Sequence, residues 1–210
     1  MLYQQALFQD QSINSSEVDV KSMSNEDIRK EFEISARTSI ARRSVSAPLA
    51  QFINQHSKLI KGSCINYAKG RDEQSLDTMA IKKISGHCSE YDFNYCPDLD
   101  ITRCSFNFVY CGYCTNVLPI LPRGIVWRNL AKLTRYEDGI CVVASRSDKD
   151  RGIKGIPFED GVRTQRLNTF QKGYKQEELL REAKEHFRYA IEIAPKGAYR
   201  MVICSHNPIV

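Results

Sequence analysis

The stretch Ser63-Cys-Ile-Asn-Tyr-Ala-Lys-Gly-Arg-Asp72 decides the fold. Its first five residues form a short apolar run that predicts a β-strand, and its last five form a loop around Gly70. A helical pattern follows over residues 73–84, in which Leu76 and Met79 recur at helical spacing. A strand, a glycine loop and a helix in this order predict the first unit of an open α/β sheet.

The alternation of strands and helices continues to the end of the chain. Further strands are predicted over residues 89–92, 106–113, 139–145, 190–194 and 200–205, and further helices over 123–133 and 176–189. Residues 106–113 are apolar on both faces, as in the central strands of parallel sheets. The last two strands predict an antiparallel hairpin at the sheet edge, and residues 146–173 form a polar segment. We therefore expect an α/β fold with a mostly parallel sheet and helices on both faces.

The pattern divides the chain into three parts. Residues 1–25 are rich in Gln, Ser, Asn and Asp without apolar periodicity, which predicts a flexible N-terminal arm. Residues 26–60 predict a helical cap, with Ser24 as the N-cap of its first helix and Pro48 in the first turn of its second. Residues 61–210 form the predicted α/β domain.

Composition and charge limit the class of protein. The 210 residues are 42% hydrophobic and 26% charged, as in globular proteins, and no apolar run approaches the roughly 20 residues that cross a bilayer. The N-terminus lacks the features of a secretory signal, so we expect a cytoplasmic protein with no membrane partner. Residues 1–33 carry a net charge of −4, which leaves +9 for the remainder. A basic body is compatible with a nucleic-acid partner, although many basic domains bind none.

The eight cysteines do not predict a metal site. Cys111 and Cys114 form the only CxxC pair, and no second pair or neighbouring histidine pair completes a zinc ligand set. The pair belongs to the aromatic run around residues 106–113, where cysteine packs as a small hydrophobic residue. Reduced core thiols are the favoured interpretation, with zinc as the lesser alternative.

Three strand ends predict a ligand crevice, because ligands of open α/β sheets bind beyond the carboxyl ends of the strands. The loop around Gly70 lets the backbone approach a ligand, and Asp92 at the end of the second strand can bind ribose hydroxyls. Residues 113–118 follow the third strand. The small-residue loop and the acid at Asp92 fit a nucleoside ligand. No Gly-x-x-x-x-Gly-Lys-Ser/Thr motif is present, which excludes a P-loop.

Residues 66–72, 90–97 and 106–118 resemble the S-adenosylmethionine-dependent methyltransferase superfamily. More narrowly, the chain resembles the methyltransferases associated with DNA phosphorothioation gene clusters, over roughly residues 35–206. That family joins an Asp-Tyr-Gly-x-Gly-Arg-Gly loop, a Tyr-Asp-Pro strand end and a Tyr-x-x-Asn-Val segment. Its closing block is matched by Asp160-Gly161, Thr164, Thr169-Phe-Gln-Lys172, Tyr174 and Glu178-Leu179, and its leading block by Arg37 to Pro48.

The resemblance implies a Rossmann-like class I methyltransferase sheet with S-adenosylmethionine as cofactor. The expected cofactor-binding residues are Asn66, Tyr67, Ala68, Gly70, Asp72 and Asp92. Tyr113 and Asn116 are the expected catalytic residues, because methyl transfer needs alignment of the acceptor more than a strong base. Asn116 can orient an amine or hydroxyl, and capping of the following turn is the alternative.

A DNA or other nucleic-acid partner is the substrate class that the resemblance implies. The candidate contacts are Arg37, Arg42, Arg43, Arg146, Lys149, Thr169, Gln171, Lys172 and Tyr174. Basic side chains of this kind contact phosphates. Solvated loops and an exposed helix face are the competing interpretations for the arginines and Lys149.

The cofactor loop departs from the family pattern at three positions. Asn66 replaces the family's strand-one acid, Ala68 replaces its first loop glycine, and Asp72 replaces its last. Ala68 adds a Cβ where the backbone approaches the ligand, and Asp72 either supplies the missing acid or repels the methionine carboxylate. Three hypotheses stay open: a methyltransferase acting on nucleic acid, a degenerate relative that binds nucleic acid or a protein, and a different nucleotide or small-molecule enzyme on this scaffold.

Overall fold

The computed structural model describes residues 23–208, so residues 1–22 of the arm predicted over residues 1–25 lie outside the described part of the chain. The helices are α1 (Asn25–Ser35), α2 (Ala47–His56), α3 (Leu76–Ser85), α4 (Ile120–Leu133) and α5 (Glu178–Lys184). The strands are β1 (Cys64–Tyr67), β2 (Ser89–Tyr91), β3 (Phe108–Gly112), β4 (Ile140–Arg146), β5 (Ile156–Phe158), β6 (Gly161–Arg163), β7 (Phe170–Gln171), β8 (Tyr189–Ile193) and β9 (Tyr199–Ser205).

Six strands form the main sheet in the order β2-β1-β3-β4-β9-β8. The strands β2, β1, β3 and β4 are parallel, and β9 is antiparallel to both of its neighbours. Tyr67 at the end of β1 is in register with Tyr91 of β2 and Cys111 of β3. The predicted mostly parallel sheet with an antiparallel edge hairpin is confirmed, and three parallel strands end side by side.

Helices cover both faces of this sheet, as the sequence predicts. Alternate residues of β3 face opposite ways: Val109 joins the core beneath α1, α4 and α5, whereas Phe108 joins the core beneath α2 and α3. The large buried side chains at these helix contacts include Trp127 on α4 and Phe52 on α2. The chain has one apolar core on each face of the sheet, because its central strands are buried on both faces. Within residues 23–208, the helices are too short or too polar to cross a bilayer.

The helix α3 begins later than the helical pattern over residues 73–84 predicts. It begins after Ser75, whose side chain accepts a hydrogen bond from the backbone N–H of Thr78. Its buried face carries Asp77, Thr78 and Ile81, whereas Met79 is 52% exposed. The cap at Ser75 therefore sets a register in which polar residues of the first turn face inward.

The predicted helix over residues 176–189 is too long. The helix α5 ends at Lys184, and the N–H groups of His186 and Phe187 both bond to the carbonyl of Ala183. This turn places Phe187 in the core and sends the chain directly into β8 at Tyr189.

The polar segment over residues 146–173 contains a second sheet that the sequence does not reveal. Strands β5, β6 and β7 pair antiparallel in that order, and β5 is exposed along its length. Such short strands give no clear alternation of apolar residues. Gly161 is needed where β6 meets β7, since a Cβ there would lie 2.5 Å from the carbonyl oxygen of Gln171.

A partly buried ionic network fastens this second sheet to α4 and α5. Arg123 of α4 is paired with Asp160, and its Nη2 lies 3.2 Å from Glu182 of α5. The ammonium of Lys172 lies 2.7 Å from Asp160 and 4.7 Å from the ring centroid of Tyr174. The hydroxyl of Tyr174 donates to Glu182 at 2.9 Å. Asp160 thus joins two cations that belong to different elements.

We expect Asp160→Asn to lower the free energy of unfolding at pH 7 by about 2 kcal/mol. This is less than the cost of breaking a fully buried pair, because the Asp160 side chain is 29% exposed. Burial favours the neutral acid, but hydrogen bonds and charges from Arg123 and Lys172 outweigh it and hold the pKa of Asp160 below its usual value. The stabilisation is therefore present above the unfolded-state pKa of about 4 and is lost as the pH falls through the lower folded-state pKa.

Urea denaturation at pH 7 and pH 3 measures this effect, and the gap between variant and wild type should narrow at the lower pH. The control is Asp100→Asn, since Asp100 forms only an exposed pair with Arg103 and its side chain is 92% exposed. Equal losses in both variants would contradict the role assigned to the network.

Candidate functional site

A crevice opens at the carboxyl ends of β1, β2 and β3. Its walls are residues 66–70 and Asp72 at the end of β1, residues 91–95 at the end of β2 and residues 112–114 at the end of β3. The N-terminal strap, which we define as residues 35–42, forms the roof. All six predicted cofactor-binding residues line this crevice: Asn66, Tyr67, Ala68, Gly70, Asp72 and Asp92.

The loop after β1 makes a left-handed turn. Ala68 has φ +60° and Gly70 has φ +81°, both in the region that favours glycine. The alanine therefore adopts the conformation that a glycine would take there, at a cost of about 1 kcal/mol in backbone strain. The missing glycine at position 68 changes the energy of the loop but not its shape.

Asp92 holds the loop and the following turn together. Its Oδ2 accepts the N–H of Gly70 at 2.9 Å, and its Oδ1 accepts the N–H groups of Asn94 at 2.9 Å and Tyr95 at 3.1 Å. A carboxylate offers about four lone-pair sites. Three of them accept backbone N–H groups here, which leaves one for a ribose hydroxyl. The role of Asp92 in binding ribose stays a prediction.

Asn66 and Asp72, the other two departures, are engaged with neighbouring elements. The Nδ2 of Asn66 donates to Ser75 at 3.1 Å and to Thr78 at 3.0 Å, and so ties β1 to the first turn of α3. The Oδ2 of Asp72 accepts the backbone N–H of Arg42 at 3.1 Å. Asp72 therefore anchors the strap.

Asp77 is a site residue that the sequence reasoning missed. It lies in the first turn of α3, is 7% exposed and lines the crevice. Its Oδ1 accepts the N–H of Ser46 at 2.7 Å, and no basic side chain among residues 23–208 lies within ion-pair distance. Such a buried carboxylate is costly unless a cation or further donors meet it. The available signal was an acid directly after the helix start at Ser75.

Four contacts fasten the strap: three to the loops of the crevice and one to the segment between β6 and β7. Ser39 Oγ accepts the N–H of Arg71 at 3.0 Å, and the hydroxyl of Tyr95 donates to the Ala36 carbonyl at 3.0 Å. Asp72 holds Arg42 as described, and Arg37 Nη1 donates to the carbonyl of Leu167 at 3.3 Å. The predicted helical cap thus reaches over the crevice, and the domain boundaries at 25 and 60 stay predictions.

A second cavity adjoins the crevice on the side of β4. Its lining comprises Thr38, Ile40, Arg42, Tyr113, Asn116, Val117, Arg146, Asp150 and Gln171. Thr38, Ile40, Arg42, Tyr113 and Val117 also line the crevice, so the two spaces share a wall. The predicted catalytic residues are both in this lining.

Tyr113 lies at the boundary of the two spaces. It has φ +60°, and the guanidinium of Arg42 lies 5.1 Å from its ring centroid. Burial raises the pKa of Tyr113, while the charge of Arg42 opposes that shift. The hydroxyl therefore stays protonated at neutral pH and is a donor there.

Asn116 is buried beside this boundary. Its Oδ1 accepts the backbone N–H of Arg146 at 3.4 Å, and its carbonyl accepts the N–H of Lys172 at 2.8 Å. Its Nδ2 has no acceptor within the described residues. The two roles expected for Asn116 were to orient the methyl acceptor and to cap a turn. The folded chain over residues 23–208 itself gives Nδ2 no partner for either role.

The structure separates the predicted substrate contacts into three groups. Arg42, Arg146 and Gln171 line the second cavity, where Arg146 Nη1 donates to Gln171 Oε1 at 2.8 Å. Arg37, Arg43 and Lys149 are exposed and lie next to lining residues in the chain.

The other three candidates, two from the Thr-Phe-Gln-Lys block and Tyr174 just after it, lie outside both linings. Thr169 bonds to Thr164, and Lys172 and Tyr174 belong to the ionic network. The geometry gives these three residues a structural role, and their contact with a substrate stays a prediction.

The cysteines are all free thiols. Cys111 is buried in β3, and its pKa is raised by a hydrogen bond with Cys114 and by burial, so it stays a neutral thiol. Within residues 23–208, no cluster of three or more His, Cys, Asp or Glu is arranged to hold a metal ion.

Comparison with known proteins supports the fold. No protein-family model and no curated protein sequence matches the chain. Among solved structures, the methyltransferase domain of bacterial CtHen1 aligns with a TM-score of 0.51 and 10% identity, covering 76% of this chain and 97% of that one.

Two further solved structures are similar. DhpI in complex with S-adenosylmethionine and HEP aligns at 13% identity with a TM-score of 0.49, over 85% of this chain and 94% of that one. A Burkholderia thailandensis 1,6-didemethyltoxoflavin-N1-methyltransferase with bound S-adenosylhomocysteine aligns at 11% identity with a TM-score of 0.48, over 89% and 91%. The CtHen1 alignment shows that the chain has the Rossmann-like methyltransferase fold. Kinship with the phosphorothioation-associated family stays a prediction.

We expect Ala68→Gly to raise the free energy of unfolding by about 1 kcal/mol, because glycine relieves the strain at φ +60°. Urea denaturation measures the change. Ala50→Gly within α2 is the control and should lower stability by about 1 kcal/mol, since that site is helical. A loss of stability in both variants would contradict the assignment of strain to Ala68.

Proposed function

We propose that the protein is an S-adenosylmethionine-dependent methyltransferase. The observation that carries this proposal is Asp77, a buried carboxylate in the crevice with no cation within ion-pair distance among residues 23–208. S-adenosylmethionine has an ammonium and a sulfonium, and when bound it supplies an electrophilic methyl group. A ligand of this charge satisfies a carboxylate that the folded chain leaves without a counter-ion.

The donors and acceptors of the crevice fit such a ligand. Asp92 retains one lone-pair site for a ribose hydroxyl after it has bound three backbone N–H groups. The left-handed turn at Ala68 and Gly70 brings backbone to the crevice wall, and Phe93 adds an aromatic surface. Asp77 would meet the ammonium.

A degenerate, non-catalytic relative is the less favoured alternative. It was suggested by Asn66, Ala68 and Asp72, and the geometry gives each of them a compatible role. Ala68 takes the glycine conformation, Asn66 fixes α3 and Asp72 anchors the strap. The carboxylate expected at position 66 has its counterpart at Asp77, which lies in the same helical turn as Ser75 and Thr78, the partners of Asn66.

The finer proposal is that the acceptor belongs to a nucleic acid, DNA in the first instance. Four exposed basic residues are next in the chain to lining residues of the second cavity. None of them has an acidic partner within ion-pair distance in the described chain. They are Arg37, Arg43, Lys149 and Arg151. Unpaired basic residues next to the lining of one cavity favour a polyanion, because phosphate contacts dominate the affinity of nucleic-acid-binding proteins.

We expect Asp77→Asn to weaken the binding of S-adenosylmethionine by at least about tenfold, since a charge-assisted hydrogen bond is worth about 1.5–3 kcal/mol. Asparagine keeps an oxygen for the N–H of Ser46, so the fold should persist. Isothermal titration calorimetry measures the dissociation constant, and thermal unfolding checks the fold.

Glu26→Gln provides the matched control, because Glu26 is an exposed acid in the first turn of another helix. An unchanged dissociation constant for Asp77→Asn would remove Asp77 from the site. Absence of binding to the wild-type protein at millimolar S-adenosylmethionine would overturn the proposed function itself.

We expect the double variant Arg43→Gln and Lys149→Gln to bind a 20-base-pair DNA duplex more weakly at low salt and with a shallower dependence on salt. Each lost phosphate contact reduces the slope by about 0.9. Fluorescence anisotropy between 25 and about 200 mM salt measures both effects. Lys58→Gln with Lys61→Gln, a change of equal charge before β1, is the control. Duplex binding that is equal in both double variants would contradict the nucleic-acid proposal.

A further inference from the structure

Asn116, which lines the second cavity, has a hydrogen-bond donor that the protein does not use. Asn116 is 1% exposed, and its Nδ2 has no acceptor among residues 23–208. The amide orientation follows from its neighbour, since the backbone N–H of Arg146 can donate only to an amide oxygen. The NH₂ group is therefore left for a ligand. A buried donor without an acceptor costs about 1–3 kcal/mol, which a bound acceptor would recover.

The cavity also has an excess of positive charge. Arg42 lies over the ring of Tyr113 and has no acidic side chain within ion-pair distance in the described chain. Arg146 and Asp150 form a pair at 2.7 Å and neutralise each other. The unpaired guanidinium and the free NH₂ of Asn116 both favour a ligand atom that carries lone pairs and negative charge.

The lining offers no effective base for removing a proton. It contains no histidine or lysine, and Asp150 is its one carboxylate. The hydrogen bond from Arg146 lowers the pKa of Asp150, which makes it a weak base. The hydroxyl of Tyr113 is protonated at neutral pH, as described above. An acceptor group in this cavity should therefore arrive without a proton to lose.

From these observations we infer that the second cavity binds the methyl acceptor through an anionic oxygen, a carboxylate or a phosphate, held by Asn116 Nδ2 and the Arg42 guanidinium. This inference rests on the proposed function. A lone pair of the oxygen forms the new C–O bond, and the electron pair of the broken C–S bond stays on sulfur. The products are an ester and a neutral thioether, so no proton is transferred. An exocyclic amine would instead need a hydrogen-bond acceptor in the protein. The amide oxygen of Asn116 is not available for this, because it already accepts the N–H of Arg146.

Three probes with one ring and different head groups test the inference: benzoate, phenyl phosphate and benzylamine. Each is titrated into the protein by calorimetry, with and without saturating S-adenosylhomocysteine. We expect at least one of the two anions to bind and benzylamine not to bind. Tighter binding of benzylamine than of either anion would overturn the inference.

Asn116→Asp is the decisive variant, because it keeps an oxygen for the N–H of Arg146 and replaces the donor with an anion. We expect it to weaken anion binding by at least about tenfold and to introduce benzylamine binding, a reversal that a loss of structure cannot produce. Arg42→Gln should weaken anion binding without the reversal. Asn54→Asp, the same change at an exposed position of α2, is the control and should bind as the wild type does. Wild-type anion affinity in Asn116→Asp would overturn the inference.

The titrations without S-adenosylhomocysteine separate this inference from the proposed function. If the protein does not bind S-adenosylhomocysteine, the proposed function fails while the anion titrations still test the cavity. A thymidine dinucleotide that displaces the bound anion would assign the oxygen to a nucleic acid. Binding of the small anions without such displacement would assign it to a free organic acid or phosphate.

Discussion

The carboxylate of Asp92 is the contact on which the site depends. By accepting the N–H groups of Gly70, Asn94 and Tyr95, it fixes the loop after β1 against the turn after β2. The strap is held by the turn after β2, because the hydroxyl of Tyr95 donates to the Ala36 carbonyl. One buried acceptor therefore determines the floor of the crevice and the position of its roof.

The ends of three parallel strands explain why these groups meet. Parallel register brings Tyr67, Tyr91 and Cys111 side by side, so the loops that follow them must share one edge of the sheet. The crevice and the second cavity are two parts of this edge, joined by Tyr113 and Arg42. The proposed cofactor site and the proposed acceptor site therefore adjoin each other at Tyr113. Group transfer requires two neighbouring sites of this kind.

The sequence predicted the sheet and the crevice because both follow from local pattern. The strand–loop–helix order around Gly70 and the continuous apolar run of β3 can both be read directly from short stretches of the sequence. Asp77 was missed because an acid at a helix start is usually exposed, and only tertiary packing buries it. The second sheet was missed because strands of two or three residues are too short to show apolar alternation.

The Thr-Phe-Gln-Lys block illustrates the limit of motif reading. Thr169, Gln171 and Lys172 of the block, with Tyr174 just after it, were expected at a substrate. Lys172 and Tyr174 instead lie in the network with Asp160, and Gln171 alone lines a cavity. A sequence pattern preserves spacing but does not distinguish a residue that binds a ligand from one that fastens two elements together.

Hydrogen–deuterium exchange of the wild-type protein with and without S-adenosylmethionine tests the central claim most directly. The account predicts slower exchange in two separate peptides, residues 64–72 and residues 35–42, because a ligand in the crevice contacts the loop and the strap together. Unchanged exchange in both peptides, at a ligand concentration of several millimolar, would contradict it.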